Sequence, residues 1–102
     1  MVITYEIQKT VTSRTVSLKT LTETTHTDVI KYIDADRKTV FKAFTDMADS
    51  YTPTLPNGYP NWEIDEYDTD YDIPSFTAHK ETETQSTKVE ILMRTAMYYE
   101  ND

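Results

Sequence analysis

The ten residues Glu63–Asp72 set the strongest limit on what this chain can fold into. They carry Glu63, Asp65, Glu66, Asp68, Asp70 and Asp72 and no basic residue, and Lys and Arg are absent from the whole span 52–79. Six carboxylates this close repel one another, which favours a solvated position over a packed one. Trp62, Tyr67 and Tyr71 stand among the charges. An extended chain advances roughly 3.4 Å per residue and alternates its faces. Asp68, Asp70 and Asp72 then form one row, with Tyr67, Thr69, Tyr71 and Ile73 on the other side. Upstream, Glu63 and Asp65 oppose Trp62 and Ile64, so the phase slips at Asp65–Glu66. The slip predicts a bulge or bend there.

The rest of the chain balances this segment poorly. Residues 1–51 hold seven basic and seven acidic side chains; residues 52–102 hold three basic and eleven acidic, the whole net charge of −8. Direct binding to DNA or RNA is disfavoured, because duplex affinity comes from Lys and Arg neutralising phosphates. Anionic membrane is disfavoured for the same reason. A basic partner is favoured, such as a nucleic-acid-binding protein. The absence of cysteine removes disulfides, thiolate chemistry and Cys-based zinc sites. One glycine, Gly58, excludes Walker-type and dinucleotide phosphate loops. The opening Met1-Val-Ile-Thr-Tyr-Glu has no basic region followed by an apolar one, and no apolar run reaches membrane-spanning length. A cytoplasmic protein is the expectation.

Periodicity supplies the fold. Ile3, Tyr5, Ile7 and Val11 alternate with Thr4, Glu6, Gln8 and Thr10, a half-buried strand over Val2–Val11. A turn at Thr12-Ser13 and a second strand at Thr15–Leu21, with Val16 and Leu18 facing in, complete a predicted hairpin. In Thr24–Ile33, Val29, Ile30, Tyr32 and Ile33 fit either the start of a long helix or a third strand, and the strand is preferred because Asp34 and Asp36 look like helix-start signals downstream of it. Val40, Phe41, Phe44, Met47, Ala48 and Tyr51 then form one apolar stripe, the mark of an amphipathic helix over Asp36–Tyr51. Thr52-Pro53 ends it. Pro53, Pro56, Asn57-Gly58 and Pro60 make a stiff loop. Ser75–Thr84 is a strand with Phe76 and Ala78 inward. Lys88–Tyr99 fits a strand paired across Gln85-Ser86, or a helix begun by the capping box Thr87/Glu90. The expected fold is α+β over residues 1–102 as a single domain: an antiparallel sheet of four to five strands with one main amphipathic helix packed on one face. The expected core is Ile3, Tyr5, Ile7, Val16, Leu18, Val40, Phe41, Phe44 and Met47.

Three chemistries compete. Asp68, Asp70 and Asp72 imitate the first half of an EF-hand loop, but Ile73 and His79 occupy the glycine and glutamate positions. His26 with Asp28 and His79 with Glu81 would make a zinc set if their strands were neighbours, since residues two apart on a strand share a face. Two exposed histidines on polar faces is the plainer reading. No serine has a nucleophile context, and exposed carboxylates stay ionised where a general acid needs burial. A non-enzymatic binder is therefore expected, its surface made of Trp62, Glu63, Asp65, Glu66, Tyr67, Asp68, Asp70, Tyr71 and Asp72.

A short, cysteine-free, acidic and Tyr-rich chain with this segment resembles the small phage-encoded inhibitors of bacterial defence, the anti-CRISPR proteins and other DNA mimics. The resemblance is one of type, resting on Trp62, Glu63–Asp72, Tyr67 and Tyr71. It implies an inhibitor that blocks nucleic-acid loading by a nuclease such as a Cas effector, acting as a monomer or small homo-oligomer in the bacterial host cytoplasm. The competing reading is a phage structural or assembly protein that self-associates through sheet edges and Tyr-rich surface.

Overall fold

The computed structural model describes residues 2–70 and 73–98. The first strand, β1 (Val2–Ser17), runs without interruption past the expected turn at Thr12-Ser13, and β2 (Thr22–Asp34) returns beside it. Thr12 and Ser13 are held on both sides, opposite Thr27 and His26 of β2 and opposite Lys88 and Thr87 of the last strand. Pairing on two flanks overrides the weak turn preference of Thr-Ser. The reversal comes instead between Ser17 and Thr22, where Leu21 takes a left-handed φ of 55°. Thr15–Leu21 is thus not a separate strand. Leu18 falls in the turn, 63% exposed, and Ile3 is 43% exposed; both leave the expected core.

Helix α1 (Arg37–Asp49) starts where the sequence places it. The Asp36 carboxylate caps the Lys38 N–H at 3.3 Å and accepts from the Thr39 hydroxyl at 2.6 Å. After the Pro-rich loop come β3 (Glu63–Asp68), β4 (Ser75–Glu81) and β5 (Gln85–Tyr98). The loop is stapled by Leu55 N–H to Tyr59 O at 2.8 Å and Gly58 N–H to Leu55 O at 2.9 Å, Gly58 supplying a φ of 86°. The last segment is strand rather than helix, and the β4–β5 turn precedes the expected Gln85-Ser86. Thr82 and Gln85 close that turn with backbone and hydroxyl hydrogen bonds.

All five strands form one antiparallel sheet in the order β2-β1-β5-β4-β3, with a single helix among the described residues: an α+β architecture, mostly strand. The register sorts the faces. Val11 lies opposite Val89, Ile7 opposite Met93, Phe76 opposite Ile91 and Ala78 opposite Val89, so these residues share one side. Val40, Phe44 and Ala48 of α1 complete this core, and Tyr5, Tyr32, Phe41, Met47, Tyr51, Trp62 and Tyr67 pack around it. Each fully buried Val, Ile or Phe contributes about 1.5–3 kcal/mol. On the opposite side Glu6, 6% exposed, is ion-paired with Arg94. Among the described residues no helix is long and apolar enough to cross a membrane.

Candidate functional site

The acidic segment forms a margin of the sheet. β3 is the outermost strand beyond β4, and its register shifts between Ile64 and Glu66, the bulge that the slipped phase predicts. Glu63, Asp65, Glu66, Asp68 and Asp70 are all exposed. The row does not continue as strand, because β3 ends at Asp68 and the Asp70 N–H turns back to the Asp68 carboxylate at 2.8 Å. Tyr71 and Asp72 lie outside the described residues.

A histidine answers two of these acids. His79 on β4 lies opposite Glu63. Its Nε2 is 3.0 Å from Glu63 Oε2 and its Nδ1 is 2.8 Å from Asp65 Oδ2. The Asp65 hydrogen bond, assisted by the charges of Asp65, Glu63 and Glu81, raises the His79 pKa above its ordinary 6.5. Beside this clasp, the Ser75 hydroxyl donates to Glu66 at 3.3 Å.

Two of the aromatic residues expected to line the partner surface, Trp62 and Tyr67, point the other way. The Tyr67 ring lies between Phe44 and Phe76, at 6.2 and 5.3 Å, edge-on to both. Its hydroxyl donates to Asp49 at 2.9 Å, tying β3 to the end of α1. Burial, and then the Asp49 hydrogen bond, push its pKa up to about 12. Trp62 packs edge-on against Tyr51 at 5.1 Å, with the Lys80 ammonium 5.4 Å from its ring. Tyr51 carries Lys9 at 5.0 Å. Tyr67 and Trp62 are therefore packed against the core, and the expectation that this stretch stands wholly outside it is corrected. The sequence signal was present: Tyr67 lies across the strand from Asp68, so a solvated Asp68 turns the ring inward. Tyr51, Trp62, Lys80, Val11 and Val89 wall an open recess of about 340 Å³ that sequence reasoning missed.

The histidines do not converge. His26 lies opposite Ser13 on β1, while His79 lies opposite Lys88, which faces Thr12. Ser13 and Thr12 are successive residues of one strand, so the two imidazoles occupy opposite faces. Strands β1 and β5 also separate them. His26 sits 3.2 Å from Asp28, on the same strand. Glu81 lies two residues beyond His79 on β4. The zinc set of His26, Asp28, His79 and Glu81 is thus not assembled, and among the described residues no cluster of three or more His, Asp or Glu is arranged to hold a metal.

No protein-family model, curated protein or solved structure matches this chain.

Proposed function

We propose that the protein is a non-enzymatic inhibitor that lays its acidic β3 margin in a basic groove of a nucleic-acid-handling protein and excludes the nucleic acid, with a Cas effector as the candidate target. One observation carries this reading: Glu63, Asp65, Glu66 and Asp68 are exposed together along a sheet edge with Asp70 just past its end, and a single histidine, His79, is clasped between the first two. Such a field steers association with a positive surface and is screened over about 8 Å at physiological ionic strength. Trp62 and Tyr67 hold the margin in place rather than anchoring the partner.

Retention of proteins from bacterial lysate on the immobilised chain, against a Glu66→Lys, Asp68→Lys, Asp70→Lys variant, tests the reading. The expected partner is basic, is eluted by salt, is displaced by its own nucleic acid, and associates with the triple variant at least about tenfold more slowly. Equal association with parent and variant would move the function to another face.

One observation favours self-association of the kind a phage structural or assembly protein uses: β2, at the other margin, is thirteen residues long and exposed along most of its length.

A further inference from the structure

The two margins of the sheet differ in how they are guarded. An edge strand offers unpaired N–H and C=O groups to any other strand, and proteins blunt such edges with shortness, bulges and charge. β3 has all three: six residues, a register shift, and exposed Glu63, Asp65, Glu66 and Asp68. β2 is neither short nor bulged, and its charges are sparse and of both signs. It pairs with β1 in unbroken register from Thr22 to Asp34, contains no proline, and has Lys31 as its one basic residue apart from His26. Along it Val29, Ile30 and Ile33 are exposed by 53%, 54% and 56%, and Leu21, in the turn before it, by 86%. Among the described residues no strand pairs with its outer edge.

We propose that β2 pairs antiparallel with β2 of a second copy about a two-fold axis at Thr27, joining the two sheets into one of ten strands. The charges select this register. Residues equidistant from Thr27 face each other, so Glu23 meets Lys31 and His26 meets Asp28, each twice by symmetry. Tyr32 meets Thr22, Val29 meets Thr25 and Ile30 meets Thr24. Glu23 already turns its carboxylate toward Arg14 at 2.8 Å, on the face that Lys31 shares. Lys31 is exposed and has no acidic partner among the described residues. Moving the axis to Asp28 sets that carboxylate against its own copy, and moving it to His26 carries Lys31 past the end of the partner strand, opposite no carboxylate. Like charges directly opposite destabilise a pair of strands. Any such two-fold stands perpendicular to the sheet and keeps both helices on one face, and an axis midway between two residues is ruled out because it would set residues of opposite faces against each other and break the hydrogen-bond ladder. The dimer leaves the two β3 margins free at its far ends, so it stands independently of what they bind.

The test uses the purified full chain with no partner. Light scattering is expected to give a dimer mass, and Lys31→Glu, which sets a second carboxylate opposite Glu23, should weaken dimerisation by about tenfold or more. The chain has no cysteine, so a single one reports only on its own copy. Thr27→Cys should oxidise to a covalent dimer, because directly opposite Cα atoms lie about 4.5–5.5 Å apart, within disulfide reach. Thr25→Cys should not, since its copy lies four residues along the strand, roughly 14 Å away. A monomer mass at every concentration would overturn the proposal. So would an open-ended polymer, or a Thr25→Cys variant that cross-links as fast as the Thr27→Cys one.

Discussion

His79 couples the acidic margin to pH. Its pKa is raised mainly by the Asp65 hydrogen bond, and then by the charges of Asp65, Glu63 and Glu81. A group whose folded pKa lies above its unfolded value stabilises the fold fully below the unfolded value, here 6.5, and ceases to as pH rises through the folded one. The melting temperature should therefore fall as pH rises above 6.5, and His79→Gln should flatten that fall. Partner association should move the opposite way, because a neutral His79 leaves Glu63 and Asp65 uncompensated. A binding rate that dropped over the same window would contradict the acidic-margin reading. The clasp itself was only half legible. Alternation places Glu63 and Asp65 on one side, but no local pattern reveals that β4 brings His79 opposite them.

At the scale of elements, the junction of α1 and β3 rests on Tyr67. Its ring fills the space between Phe44 and Phe76, and its hydroxyl answers an aspartate at the negative end of the helix. Tyr67→Phe keeps the ring and should cost about 1 kcal/mol, the worth of one hydrogen bond to a charged group at a partly exposed site. Tyr67→Ala should cost several times more, about 3 kcal/mol, through lost packing. Urea unfolding measures both, and equal costs would mean that the ring packs on nothing. The boundaries of α1 and the bulge in β3 were legible because each rests on local signals: a cap at Asp36, a proline at Pro53, a slipped alternation at Asp65. The turns were not. Thr12-Ser13 and Gln85-Ser86 lack the Asn-Gly chemistry that fixes a hairpin, so their places were decided by pairing between β1 and both neighbours. The helix option for Lys88–Tyr99 failed likewise, since β5 is flanked by β1 and β4 and a capping box at Thr87 cannot compete with two ladders.

The whole molecule is longer than its size requires. Its radius of gyration is 16.9 Å over extents of 59 × 33 × 17 Å, where about 13 Å is usual for a domain of this length. The excess comes from the three long strands β1, β2 and β5, and at one end the β1–β2 hairpin runs past Gln85, the last β5 partner of β1. There only two strands remain, with one further bond from Val16 N–H to Thr84 O at 2.8 Å. A two-stranded ribbon without a buried face has little stability of its own. Stability should therefore be graded along the long axis. In the Lys31→Glu chain, amides of residues 17–23 should exchange hydrogen through local opening, insensitive to low denaturant. Those of residues 76–78 and 89–93, which carry Phe76, Ala78, Val89, Ile91 and Met93, should exchange only through global unfolding. In the parent chain the outward amides of β2 should gain protection with concentration as dimers form, while the exchange of residues 63–68 stays unchanged. Were residues 17–23 as slow as 89–93 at every concentration in the Lys31→Glu chain, the hairpin would belong to the cooperative core, and the exposed ribbon would not be a separable unit.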